Sequence, residues 1–536
     1  MGTNVQEIMK KRFLTTMVVG LAGLQGVVWG VESRPKLVVG IVVDQLRTDY
    51  LESLRDMLGT GGFRRLMETG VYLKDVDFKV EGGDATSATS IIQTGAYPRQ
   101  TGITGAMILD PSTKTLQQIF SDESYIGNFT DEKYSPAALR VTTLTDALAI
   151  EENGKSRIHS IAPNPGEAII LAGHAGNSAF WVNDESGRWS STTYYTDIPN
   201  ILQEKNYITP LISRLDTIQW KPLKTGVAYP YVSQQETNSG FKYTFSRSDR
   251  DVFNLYKQTP LINSEITDSA LEYIQNLNLG KNDGGTDVLN LAFTLAPYSL
   301  ATNEGYRYEL EDAYLRLDQD LEKLFNALDQ NAGKQNILIY LVSTGYFSEP
   351  AINNQELRIP GGTFSVKRAM SLLGAYLSAK YGNGSYVDHY ANGQVYLSAK
   401  TLEEKGLDLD KIAEESRDFL VRMSGVADAY TIADLVSPAI EELEAHRLAI
   451  DPKISGDVIL EFAAGWKVVD DSRFPSIEQQ NKTSIYQTPG FIMGNGIEAK
   501  TVKETVEAVA IAPTITNALR IRAPNAARAK PLSLTD

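Results

Sequence analysis

No cysteine occurs in the 536 residues. That absence excludes disulfides, thiolate zinc sites, thiol catalysis and an N-terminal lipid anchor of the lipoprotein type. Histidine is almost as scarce, with His159, His174, His389 and His446 the full set. Past the N-terminus there is no run of 18 uninterrupted apolar residues, so no transmembrane span is expected in the mature chain. Positive charge is also in deficit, with 51 Lys and Arg against 66 Asp and Glu. Such a surface disfavours nucleic acid and anionic lipid as partners, while leaving room for a small phosphate ester in a locally positive pocket.

The N-terminus reads as an export signal over residues 1–30. Lys10, Lys11 and Arg12 form its basic region, Phe13 to Val28 its apolar region, and "VWG" supplies small residues at the cleavage offsets. Loss of that segment removes three basic residues and one acidic one, leaving 48 against 65 and a net charge of −17. An exported, cysteine-free chain of 59.0 kDa fits a bacterial periplasm, or carriage beyond it.

What is present alternates between strand and helix. "KLVVGIVVD" is a continuous apolar run ending at Asp44, the pattern of a buried parallel strand. "DVLNLAFTL" and "NILIYLVS" are further strands, separated by a helical stripe through Leu310, Tyr314, Leu317, Leu321, Leu324 and Leu328. Strand, helix, strand at this spacing predicts a parallel α/β core. "GTGGFRRLMETG" lacks the Lys-Ser/Thr of a P-loop and reads as turn chemistry. Residues 31–536 are expected to form one domain, interrupted by a Trp- and Tyr-rich cap at about 181–250 and an α+β insertion at about 366–451. In an open α/β sheet, function sits at the carboxyl ends of the strands.

Several stretches, in order, carry a resemblance: "KLVVGIVVDQLRTDYL", "GTGGFRRLMETG", "TGAYPRQTGITG", "ILAGHAGNSAFWVND", "DAYLRLDQDLEKLFNALD", "DPKISGDVILEF" and "PGFIMGNGI". Over roughly Lys36 to Ile497 the chain resembles the alkaline phosphatase superfamily. The branch is that of secreted bacterial phosphatases related to type I phosphodiesterases and nucleotide pyrophosphatases. The resemblance implies a mostly parallel central sheet flanked by helices. It also implies two zinc ions about 4 Å apart that clamp an in-line displacement at phosphorus, with a Thr or Ser alkoxide as nucleophile.

Carried over residue by residue, the expected site is largely missing. Asp44 supplies the first-strand carboxylate. The nucleophile position reads Ala85, or Thr86 if the alignment slips by one residue. An Asp and a His expected after the middle strand fall on Pro297 and Ala301. The Asp-His pair expected after "NILIYLVS" falls on Thr344 and Gly345, and the late His on Gln487. The Lys and Arg that would hold substrate phosphate read Asn164 and Gly166, and an expected Asn reads Ala106.

These substitutions lead to the expectation of a pseudophosphatase. The protein would be an exported binding or scaffold component of the bacterial envelope, with no cofactor and another envelope protein as partner. The alternative is a divergent metal-dependent phosphomonoesterase or phosphodiesterase, with two zinc ions in that case. A hard cation held by Asp44, Asp84, Thr86 and Thr344 is a further option, as is a hydroxyl nucleophile among Ser87, Ser90, Ser343 and Thr344. Trp181, Trp189, Tyr194 and Tyr195 either stack on a ligand or pack the cap. His174, in "AGH", reads as scaffold. "DLDKIAEESRD" and "EELEAHR" read as solvated helix faces.

Overall fold

Strand β1 (Leu37–Asp44) is buried along almost its whole length. Its side chains alternate: Leu37, Val39, Ile41 and Val43 enter one hydrophobic cluster, Val38 and Val42 another. A strand apolar on both sides needs a layer on each, and the chain supplies helices for both. The computed structural model describes residues 34–110, 113, 115–196, 200–296, 298–299, 307–348, 361–437, 441–472, 477–479 and 482–534. The expected export signal, residues 1–30, lies outside them.

After β1 come β2 (Val71–Leu73), helix α1 (Ala85–Thr94), the short β3 (Gly127–Asn128) and β4 (Ile158–Ile161). Helix α2 (Pro165–Ala172) leads to β5 (Ser178–Val182) and β6 (Trp189–Thr192). Helices α3 (Val252–Lys257) and α4 (Leu261–Asn276) precede β7 (Asp287–Thr294), and the long α5 (Arg307–Ala332) precedes β8 (Ile337–Ser343). The second insertion contributes α6 (Val366–Tyr381), β9 (Val387–Ala391), β10 (Gln394–Leu397) and α7 (Leu409–Leu420). It continues with β11 (Val426–Thr431), α8 (Glu444–Ala449) and β12 (Val458–Phe462), after which β13 (Gly490–Gly494) and β14 (Lys500–Val502) rejoin the core.

The ten-stranded main sheet has the order β14–β2–β13–β8–β1–β7–β4–β5–β6–β3. Its five central strands, β8 through β5, run parallel. Antiparallel pairings appear only towards the edges. Helices α4 and α5 cover one face, α1 and α2 the other. The fold is thus α/β with a mostly parallel central sheet. Because Asp44 pairs with Thr294 and Val43 with Ser343, the three central strands end level, and their following turns share one rim.

The glycine-rich turn is held by a single acid. Asp318, in α5, accepts the backbone N–H groups of Gly59 (2.7 Å) and Phe63 (2.8 Å). A side chain at Gly62 would collide with it.

Two expectations about the insertions change. Trp181 and Trp189 lie in β5 and β6 of the main sheet and are buried, so the segment from 181 to 192 is sheet edge and not cap. Tyr195 is buried as well, and the Tyr194 hydroxyl donates to the His174 carbonyl at 2.8 Å. These rings are committed to packing. The second insertion forms an antiparallel sheet, β9–β10–β12–β11. Its own hydrophobic cluster runs from Phe364 to Val468, wider than the expected 366–451.

Gly40, in mid-strand, is a tightly packed point of the core. A Cβ there would stand 2.3 Å from both the Asn290 side-chain oxygen and the Tyr340 hydroxyl. Those two side chains use the space to reach the helices: Asn290 donates to the Leu171 carbonyl (2.7 Å), and Tyr340 accepts from Gln93 (2.8 Å). Gly40→Ala is therefore expected to lower unfolding stability by about 3 kcal/mol, the upper end for an overpacked core. Urea denaturation of the two proteins measures it.

Candidate active site

At the rim, β1 ends in Asp44 and turns through Gln45, whose φ of 62° is left-handed. The Thr344 hydroxyl donates to the Asp44 carboxylate at 2.7 Å and accepts the Gln45 N–H at 3.3 Å. Thr344 thereby stitches the ends of β1 and β8 together. The next residue, Gly345, has φ 74°, and a Cβ on it would lie 2.3 Å from the Phe78 ring. Tyr346 follows, buried, its hydroxyl donating to the Val80 carbonyl at 3.1 Å. Aromatic packing fills the turn where the resemblance places an Asp-His pair.

Two helices start at the same rim. Asp84 caps α1: its carboxylate accepts the Ser87 N–H at 2.8 Å, while the Ser87 hydroxyl accepts the Asp84 N–H at 2.9 Å. The second Asp84 oxygen accepts the Ala106 N–H at 2.7 Å. Asp84 is occupied structurally, and so is Ser87. Helix α2 has Asn164 at its cap and Pro165 in its first turn, where a missing N–H costs nothing. Gly166 lies so near Thr86 that a Cβ would fall 2.5 Å from its hydroxyl. That clearance lets the Thr86 hydroxyl donate to Glu167 at 2.9 Å.

Between these parts is a cavity of about 140 Å³, with Asp44, Ala85, Asn164, Glu167, Lys257 and Thr344 in its wall. The structure therefore gathers Asp44, Ala85, Asn164 and Thr344 from the sequence-derived set. Gly166, Ala106 and Thr86 stand just behind the wall. Gln487 does not join them: it is exposed, and its carbonyl accepts the Thr48 N–H at 3.0 Å. Pro297 and Ala301 lie outside the described residues. Ser90 and Ser343 are fully buried, out of reach of a substrate.

Two wall residues escaped the reading of the sequence. Glu167 is a lone acid in the apolar helix "PGEAIILA", which was the available signal. Burial, then the nearby charges of Asp84 and Asp44, push its carboxyl up to about 7. Its second oxygen has no hydrogen-bond partner. Lys257 ends the apolar helix α3 and is buried. Its ammonium donates to the Val182 carbonyl at 3.0 Å and to Asp184 at 2.5 Å.

The histidines are elsewhere. His159 is buried in β4 beside Ser178 (2.7 Å), and burial drives its pKa down to about 3. His174 donates through both ring nitrogens, to Asp146 at 2.8 Å and to the Leu139 carbonyl at 3.0 Å. The Asp146 contact raises its pKa. His389 lies in β9 of the insertion, and His446 in α8.

A zinc pair needs several imidazole and carboxylate ligands. The cavity wall offers Asp44 and Glu167 as ionisable oxygen donors, and no imidazole. Among the described residues, no three His, Asp or Glu side chains converge there. The donors present do not fit the zinc pair that the resemblance implies.

The family model for type I phosphodiesterase/nucleotide pyrophosphatase matches residues 38–491. The chain belongs to that family, within the alkaline phosphatase superfamily. It is 29% identical to alkaline phosphatase PafA of Elizabethkingia meningoseptica over 98% of both chains. It is 28% identical to alkaline phosphatase PhoV of Synechococcus elongatus, over 92% of this chain and 91% of the relative. A crystal structure of wild-type PafA superposes with a TM-score of 0.79 at 27% identity, covering 93% of this chain and 98% of that one. This kinship with phosphatases over almost the entire length overturns the expectation of a non-catalytic scaffold. Glu167 and Lys257 stand in the cavity wall at the ends of the central strands.

Glu167 gives a measurable signature. Its folded pKa lies above its ordinary value of 4.5, so its contribution to stability is fully present below pH 4.5. It is lost progressively as pH rises to about 7, and is then constant. Relative to Glu167→Gln, the wild type should lose about 3 kcal/mol across that window. Urea midpoints of both proteins at pH 4.5 and pH 8 measure the difference.

Proposed function

We propose that this protein hydrolyses phosphate esters as a divergent member of its family, at the cavity where β1, β7 and β8 end. The observation that carries the reading is the likeness to a phosphatase structure over 93% of the chain at 27% identity. The cavity's chemistry supports it. The first residue of α1, Ala85, and the cap of α2, Asn164, both lie in the wall, so two positive helix ends border the space an anion would take. Lys257 brings an ammonium to the wall, shared with Asp184.

Glu167 is the acid–base residue of this reading. A carboxyl poised at about 7 can accept a proton from an attacking water near neutral pH. Thr86 orients it by donating to one oxygen, leaving the other free. Asp44, fixed by Thr344, borders the same cavity. Export through the N-terminal segment belongs to the same proposal, and no helix among the described residues is long and apolar enough to cross a membrane.

The test is turnover of p-nitrophenyl phosphate and bis-p-nitrophenyl phosphate by the mature chain. Assays would run from pH 5 to 9, with EDTA and with Mg²⁺, Mn²⁺, Ca²⁺ or Zn²⁺ in turn. The rate should rise through about pH 7 as Glu167 deprotonates, and Glu167→Gln should lower kcat/KM by about 10²-fold or more. Lys257→Met should act mainly on KM. No turnover of either ester under any of these conditions would overturn the proposal.

A further inference from the structure

Outside the cavity, Glu81, His446 and Glu461 are the one trio of His, Asp or Glu side chains among the described residues whose ligand atoms all lie within 4.8 Å of one another. They come from two parts of the fold. Glu81 precedes Gly82 and Gly83 in the loop that runs into Asp84 and helix α1. His446 is in α8 and Glu461 in β12, both in the second insertion. The trio therefore spans the junction between the insertion and the loop that feeds the cavity.

The spacing is that of ligands around an ion. His446 Nε2 is 3.6 Å from the Glu461 carboxylate and 3.9 Å from that of Glu81. Both distances are too long for hydrogen bonds. Donors at about 2.0–2.1 Å from a tetrahedral zinc stand roughly 3.3 Å from each other, so each carboxylate has about half an ångström to close on the imidazole, and all three ligand atoms lie within 4.8 Å of one another. The imidazole ring packs on Tyr430 at 4.6 Å, whose hydroxyl is shared between Asp428 at 3.1 Å and Glu461 at 3.3 Å.

His446 Nδ1 is buried and has no hydrogen-bond partner, and Nε2 is the ring nitrogen that faces both carboxylates. Nitrogen with two carboxylates selects a borderline transition-metal ion over Ca²⁺ or Mg²⁺, which prefer oxygen alone.

We propose that Glu81, His446 and Glu461 bind one Zn²⁺-class divalent ion, with solvent in the fourth position, clamping the second insertion to the loop that leads into helix α1. This inference is independent of the phosphatase reading, since its readout is metal retention. The mature full-length chain would be loaded with Zn²⁺, gel-filtered and analysed for metal, with affinity by competition against a chromophoric chelator. About one ion per chain is expected. His446→Ala and the conservative Glu461→Gln should each weaken binding at least 10-fold, while Asp44→Asn leaves it unchanged. Zn²⁺ should raise the thermal midpoint of the wild type and not that of either variant. No retained zinc would overturn the proposal. So would zinc lost on Asp44→Asn but kept in a folded His446→Ala variant, because the ion would then belong to the cavity.

Discussion

β1 lies between β7 and β8 in unbroken parallel register, from Leu37 beside Asp287 and Ile337 to Asp44 beside Thr294. Nearly everything else depends on that pairing. It brings three strand ends level, so the turns that follow them meet at one rim. Gly40 keeps the strand free of a side chain at the point where Asn290 and Tyr340 must pass to grip the helices bearing Leu171 and Gln93. The positions of α1 and α2, and hence of the cavity wall, follow from how closely β1 is packed.

The rim is a set of structural contacts. Thr344 ties Asp44 to the Gln45 turn, Gly345 makes way for Phe78, and Asp84 spends both oxygens on backbone groups. An imidazole at position 345 would need the space that Phe78 now fills, as well as a left-handed backbone that side chains resist. The same logic explains Gly166: only without a side chain can Thr86 meet Glu167. The bare backbone at Gly166 and the buried acid beside it are thus one coupled feature of the packing.

The second insertion is more than an ornament on this core. It has its own sheet and hydrophobic cluster, and it reaches back to the loop ahead of α1 through His446. A contact there acts on Glu81, four residues from the cavity wall at Ala85. The geometry links the insertion to the cavity without a shared ligand.

The sequence by itself determined the layered α/β core, because a continuous apolar strand such as "LVVGIVV" can only be buried between two layers. It also determined family membership, through collinear motifs. Tertiary structure alone decided which side chains meet at the rim. Glu167 reads as an ordinary acid in a short helix until Thr86, Asp44 and Asp84 are placed beside it, and its raised pKa is a property of that neighbourhood. Lys257 is remote in sequence from every motif, and only chain folding brings it to Asn164 and Glu167. Trp181 and Trp189 looked like cap residues because aromatic content does not distinguish a sheet edge from a lid, whereas strand pairing does. "EELEAHR" carries no sign of a partner 365 residues away, since contact between Glu81 and His446 exists only once the insertion docks.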